Sequence, residues 1–347
     1  MNNTPNPQKS LFVDIKYYSL IFCLCCIYGI VTYGIFNWFI GGKLNPTGLM
    51  MQSFLVGIPL AIGSTISILQ KKPEIYTLRR HIASFLRCLV MGVIIILVVS
   101  IVALAALGEG AICVFMALPF LIGFLIIGIA LPILLGSLLG NELVKTHQKK
   151  FKKYVSIIAL APLIWGGIEQ HTQPQDTFHT FEKQIIIEAQ TQDIWPLLLN
   201  PQNIKPSELS DGIAYKIGAP YPVSASTPLP KIGQMRHSVW QKGITFDEEI
   251  TAIKENEHIA WKYHFHENSF PKGSLDDHIV IGGTYFDLTK TSYTLEPIEN
   301  GTVLTMSVSY RISTNFNWYA ELWGDLLIGD TAETLLEFYK NRSEQNL

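Results

Sequence analysis

The sequence predicts an N-terminal multi-span α-helical membrane bundle followed by an α+β domain, a curved antiparallel sheet set around a long C-terminal helix. Three observations carry this expectation. Up to about Gln170 the chain is a series of apolar runs separated by short polar loops. From Phe181 the apolar period shortens to that of a strand. The last stretch, about Asn317 to Asn341, returns to a helical period. Composition agrees, since 347 residues that are 48% hydrophobic and only 16% charged suffice for two domains but are too apolar for an ordinary soluble protein.

The formal charge of −2 conceals an asymmetry. Residues up to Gln170 hold 13 Lys+Arg against 5 Asp+Glu, and the remainder 13 against 23. A basic membrane half and an acidic water-facing half suit loops that obey the positive-inside bias. Neither half carries the dense basic stripe that nucleic-acid binding requires, which excludes that class of partner. The five cysteines, Cys23, Cys25, Cys26, Cys88 and Cys113, all lie in apolar runs. With no His or carboxylate beside the first three, they read as small apolar packing residues rather than as a metal or redox cluster.

The first residues, MNNTPNPQKS, are polar and rich in Pro and Asn, and residues 1–17 are expected to be disordered. Five spans are expected in residues 18–170: Tyr18 to Ile40, Gly48 to Leu69, Ala83 to Leu107, Ala111 to Leu139 and Tyr154 to Ile168. The fourth is interrupted by Pro119 and Pro132 and is expected to tilt or kink. The fifth is short, reaching only ~22 Å as a helix. Span interiors are nearly free of ionisable residues, which favours an anchor over an ion path. Gly57-x-x-x-Ala61-x-x-x-Thr65 and Gly136-x-x-x-Gly140 offer small-residue faces for close packing within the bundle.

Orientation follows from the loops. Lys71, Lys72, Arg79, Arg80 and Arg87 gather between the second and third spans, and Lys145, Lys149, Lys150, Lys152 and Lys153 precede the fifth. These basic segments alternate with poor ones, which places the N-terminus in the cytoplasm. With the fifth segment crossing, the expected location is the bacterial inner (plasma) membrane, multi-pass, with the α+β domain extracytoplasmic.

That domain is expected over residues 178–342. FEKQIIIEA from Phe181 is β-rich, and Thr191-Gln192-Asp193 then caps a short helix whose first turn holds Pro196. A second short helix starts near Ser207. Strands are expected at Ile213 to Ile217, Gly233 to Trp240, Ile244 to Ile253, His258 to His266, Ile279 to Leu288, Thr291 to Pro297 and Thr302 to Ile312. GAPYPVSASTPLPK, with four prolines, is expected to be irregular. Glu299-Asn300-Gly301 makes the turn of the last hairpin. Leu304, Met306, Val308, Tyr310 and Ile312 alternate with polar neighbours, so one face of that strand is buried. In the final helix Tyr319, Leu322, Trp323, Leu326, Leu336 and Tyr339 form a broad apolar stripe expected to cover the sheet.

In this order of elements the chain resembles the SRPBCC superfamily, the START-like helix-grip fold, and more narrowly its bacterial membrane-anchored members. The resemblance rests on IIIEAQTQDIW, Gly233-Gln234-Met235-Arg236, Phe246-Asp247-Glu248-Glu249-Ile250-Thr251, His258-Ile259-Ala260-Trp261 and the terminal helix, and covers Phe178 to Arg342. It implies a deep cavity between sheet and helix that holds lipids, polyketides or other apolar molecules. The superfamily has no shared catalytic set, so it transfers no catalytic residue.

Candidate chemistry comes from the strands. Alternation puts Ile244, Phe246, Glu248 and Ile250 on one face, which leaves Glu248 as a carboxylate among apolar neighbours. It is a candidate acid–base group with His237; the alternative is an ion pair with Arg236 on the adjacent strand, with Asp247 and Glu249 facing solvent. His264 and His266, with His237 or His278, make only a weak metal pattern, and an exposed face is the expected placement. No metal and no cofactor are expected. The expected ligand-binding set is Arg236, Trp240, Phe246, Glu248, Trp261, Tyr263, Tyr285, Tyr310 and Trp323, reached past gates at Gly218 to Lys231 and Glu267 to Asp277. The function expected is a membrane-embedded binding module for an apolar small molecule or lipid. The alternatives are a cyclase- or hydrolase-type enzyme in the same cavity, or an interaction platform.

Overall fold

A computed structural model describes residues 7–41, 48–70, 78–107, 109–138, 141–209, 212–275 and 280–345. Two compact units emerge, one holding Met1–Glu109 and Val114–Pro174, the other centred on Gln175–Leu347.

The first unit is helical: α1 (Pro7–Trp38), α2 (Ile58–Leu69, entered through a π-turn at Ser53–Gly57), α3 (Leu78–Ala106), α4 (Ala111–Leu138) and α5 (Asn141–Glu169). Helix α1 starts at Pro7, so much of the segment expected to be disordered is helical, its apolar residues from Leu11 on extending the first run. Three helical stretches are long and apolar enough to cross a membrane: Asp14–Trp38, Ile82–Ala106 and Ala111–Leu135. Ser53–Leu69 and Tyr154–Glu169 are shorter apolar helices. Helix α5 is continuous from Asn141, so the lysine run and the apolar segment share one helix.

Close approach holds the unit together. A Cβ on Gly63 would lie 2.5 Å from the Leu125 carbonyl oxygen, and one on Gly128 would lie 2.5 Å from that of Leu60, so α2 and α4 cross backbone to backbone there. A Cβ on Gly57 would meet Pro162 of α5 at 3.0 Å, and Ala61 is buried. Gly140 lies outside the described residues. Buried Glu169, at the end of α5, accepts the backbone N–H groups of Gln52 and Ser53, each at 2.8 Å, and so caps the π-turn that leads into α2.

The second unit is a seven-stranded antiparallel sheet, ordered β1-β7-β6-β5-β4-β3-β2, curled beneath one long helix. Its elements are β1 (Thr177–Ile187), α6 (Thr191–Leu199), α7 (Ile213–Lys216), β2 (Pro222–Ser226), β3 (Met235–Trp240), β4 (Thr245–Lys254), β5 (His258–His264), β6 (Phe286–Ile298), β7 (Gly301–Ile312) and α8 (Asn317–Gln345). β1 pairs along its whole length with β7, from Thr177 opposite Ile312 to Ile187 opposite Thr302. The β6–β7 turn needs its glycine: Gly301 has φ +141°, and a Cβ there would lie 2.1 Å from the Ile187 carbonyl oxygen. The core lies on the inner face, where Ile187, Ile259, Leu295, Leu304, Met306 and Val308 meet Leu336 and Phe338 of α8.

Several sequence expectations are corrected. Ile213–Lys216 is a helical turn, not a strand, because the Asp330 carboxylate of α8 accepts the Ala214 N–H at 2.8 Å and holds its start. The proline-rich stretch contains β2; Pro222 opens the strand, and β2 lies at the sheet edge, where a missing N–H is tolerated. Helix α6 begins at Thr191 without a side-chain cap, which puts Pro196 past the first turn of a helix that ends at Leu199. Residues 280–285 are turns rather than strand, with Gly282 at φ +78°, and β6 then runs unbroken through a register shift between Leu288 and Lys290. The apolar stripe of α8 is buried only from Gly329 onward; Leu322 is 61% and Leu326 49% exposed.

Candidate functional site in the inner face of the sheet

β3 and β4 place Arg236 directly opposite Glu248, both on the inner face and both buried. Arg236 Nη1 donates to Glu248 Oε2 and, at 3.2 Å, to Ser238 Oγ, while Ser238 Oγ donates to the same carboxylate oxygen at 2.8 Å. Arg236 Nη2 reaches the Leu198 carbonyl at 3.4 Å, and the guanidinium lies 4.6 Å over the Trp261 ring. Burial pulls the Arg236 pKa down, and the Glu248 carboxylate beside it more than offsets this, so it lies above its ordinary value. The pair is therefore a net-neutral unit in an apolar surround, with Arg236 Nε buried and without a hydrogen-bond partner among the described residues.

Aromatic residues surround it. Trp261 tilts against Tyr293 at 5.7 Å, and Tyr293 meets Tyr339 of α8 edge-on at 5.6 Å. The Tyr263 hydroxyl pairs with Thr291 Oγ1 at 2.6 Å. Burial raises the pKa of Tyr263, Tyr293 and Tyr339, so these phenols stay neutral. Trp240 and Tyr263 both lie about 6 Å from Phe246 ring to ring (5.9 and 5.8 Å), which places these two beside the same cluster. Tyr285 and Tyr310 are buried near β7, with Phe286 tilted on Tyr310 at 6.0 Å. Trp323 lies on α8, partly buried, edge-on to Tyr319.

His237 does not join Glu248. It lies on the outer face, 57% exposed, with Nδ1 at 2.5 Å from Asp247; His266 holds the other Asp247 oxygen at 2.9 Å. Glu249 takes Lys262 at 2.9 Å and His264 at 2.8 Å. Burial acts to raise the Asp247 pKa, but the hydrogen bonds from His266 and His237 bring it below the usual carboxylate range. Strand alternation separates the candidate acid from the candidate histidine, because neighbouring residues face opposite sides. Among the described residues no group of three or more His, Cys, Asp or Glu is placed to hold a metal ion, and His278 lies outside them.

Ser238, Thr291 and Tyr293 belong to the inner cluster and were not singled out from sequence, while Tyr339, expected there only as part of the apolar stripe of the final helix, joins them. Ser238 was within reach of that reasoning, since it lies two residues from Arg236 on the same face. Tyr339 reaches Tyr293 only through the tertiary fold.

No protein-family model matches the chain, and no curated protein matches it. Solved structures do. A Mesorhizobium loti protein is 17% identical, covering 47% of this chain and 98% of its own, with a TM-score of 0.28. A Thalictrum norcoclaurine synthase point mutant, solved with a transition-state analogue, is 11% identical over 50% and 99%, TM-score 0.31. A Polyketide_cyc-like protein from Corynebacterium glutamicum is 16% identical over 49% and 94%, TM-score 0.29. By strand order and closing helix, the C-terminal unit of this chain has a helix-grip fold.

Proposed function

We propose that the chain is a membrane-anchored binding module for a hydrophobic small molecule or lipid, taken up between the inner face of the sheet and α8. One observation carries this reading. The inner-face charges Arg236 and Glu248 neutralise each other among neutral phenols and apolar side chains, which suits an apolar guest with a small polar end. Contacts with Phe246, Trp261, Tyr285 and Tyr310 would hold the chain of such a guest, with Arg236 or Glu248 near its polar end. The acid–base alternative loses support because Glu248 is committed to Arg236 and Ser238, and His237 lies on the other face. Native mass spectrometry of the detergent-purified chain tests the reading: a reproducible apolar adduct is expected, and a bare chain under conditions that preserve other lipid complexes would refute it.

The anchor is the helical unit, in a bacterial inner membrane, with the α+β unit on the extracytoplasmic side. The three span-length helices support the anchor, and the lysines at the start of α5 support the orientation. Alkaline phosphatase fused after Leu347 is expected to be active in a bacterial host. An inactive fusion, together with fluorescence from a reporter that folds only in the cytoplasm, would reverse the orientation.

A further inference from the structure

His179 of β1 stands directly opposite Tyr310 of β7 in the register, and their rings stack 5.4 Å apart at 25°. Two carboxylates of α8, Glu321 and Asp325, lie one turn apart and so share a helix face. Glu321 Oε1 is 2.8 Å from His179 Nδ1, and Asp325 Oδ1 accepts the Tyr310 hydroxyl at 2.6 Å. Gly324, between them, permits this approach, since a Cβ there would lie 2.9 Å from the Tyr310 ring.

The arrangement fixes the state of the imidazole. A carboxylate only accepts, so Nδ1 carries the proton, and in the neutral form of that tautomer Nε2 presents a bare lone pair. That nitrogen is buried and has no hydrogen-bond partner among the described residues. The Tyr310 hydroxyl is already committed to Asp325. Only a further donor satisfies the lone pair.

The cover over this position is light. From Asn317 to Ile328 no residue of α8 is buried, whereas Gly329, Ala332, Leu335, Leu336, Phe338 and Tyr339 are. The first half of α8 meets the sheet through these two polar clasps and through the approach of Gly324 to the Tyr310 ring.

We infer that His179 Nε2 is the acceptor of a hydroxyl-recognising subsite beneath the first half of α8, which takes an apolar molecule bearing an alcohol or phenol group. This rests on the binding-module reading and specifies which polar group the guest carries at this end of the sheet. The Tyr310 ring stacked on His179 supplies an apolar wall.

The test uses the full chain in amphipol with two probes, 1-naphthol and 1-methoxynaphthalene, which share a ring system but differ in the O–H donor. Calorimetry is expected to show 1-naphthol binding about ten-fold tighter, the scale of one hydrogen bond. His179→Phe keeps the stacking and removes the acceptor, and is expected to bind the two probes alike. Glu321→Gln, whose amide oxygen still accepts from Nδ1, is expected to keep the preference. A preference that survives in His179→Phe, or is missing in the wild type, overturns the subsite. If the wild type shows no preference yet carries an apolar adduct in native mass spectrometry, the subsite fails and the module stands. If neither probe binds and no adduct is found, both fail.

Discussion

Arg236 and Glu248 show how much one residue depends on its partner. Buried charges are stable only when paired, so removing one leaves the other uncompensated. Arg236→Met alone is expected to destabilise the folded chain by about 3–5 kcal/mol, whereas Arg236→Met with Glu248→Leu should be nearly neutral. Chemical denaturation of the three proteins, followed by near-ultraviolet circular dichroism, checks this; equal losses in the single and double variants would contradict it. A second pair sets acid stability. Arg342 donates to both oxygens of Glu208, at 2.8 and 3.0 Å, and to the carbonyls of Gln202 and Asn203. The Arg342 hydrogen bonds hold the Glu208 pKa below its ordinary value of 4.5. Its contribution is therefore present above pH 4.5 and is lost as pH falls through the lowered folded value. Glu208→Gln should flatten the fall in melting temperature across that acid window and leave the slope near pH 7 unchanged. The Arg236–Glu248 pair was legible in the sequence, because alternation put Glu248 among apolar residues and Arg236 on the preceding strand. The His179–Glu321 clasp was not, since 142 residues separate its members and only the β1–β7 pairing and α8 bring them together.

Helix α8 gives the corresponding lesson for an element. Its apolar positions read as one continuous stripe, yet the two halves have different surroundings. The second half is flanked as well as underlain: Arg342 ties it to Glu208, Asp330 holds the start of α7, and α6 packs on it. The first half meets the sheet, and there Trp318 and Leu322 are exposed. Periodicity reports which residues share a face, not how many neighbours cover it. Leu336→Ala should accordingly cost about 2–5 kcal/mol. Trp323→Ala should cost less, because that ring is only partly buried whereas Leu336 is fully enclosed. Thermal melts of the two variants check the order, and a larger loss for Trp323→Ala would contradict it. The strands show the same limit. β7 was legible from its strict alternation, while β2 was hidden by its prolines, which tolerate a place at a sheet edge but argue against strand structure when read locally.

For the whole molecule, the sequence already divided the chain into an apolar helical part and an α+β part, because a run of span-length apolar segments and a period of two leave few other architectures. Which face of the sheet would receive the proposed guest depended on the curl of seven strands and on where α8 lies, and these are tertiary facts. The central claim is that an apolar molecule occupies the space between sheet and helix, and the inner and outer faces of β3 to β5 provide its control. The most direct measurement is the amount of apolar adduct carried by four purified proteins with native circular dichroism: wild type, Trp261→Glu, Trp261→Leu and the outer-face variant His237→Glu. The account predicts that Trp261→Glu loses the adduct while the other three retain it. Equal adduct on all four proteins would contradict it.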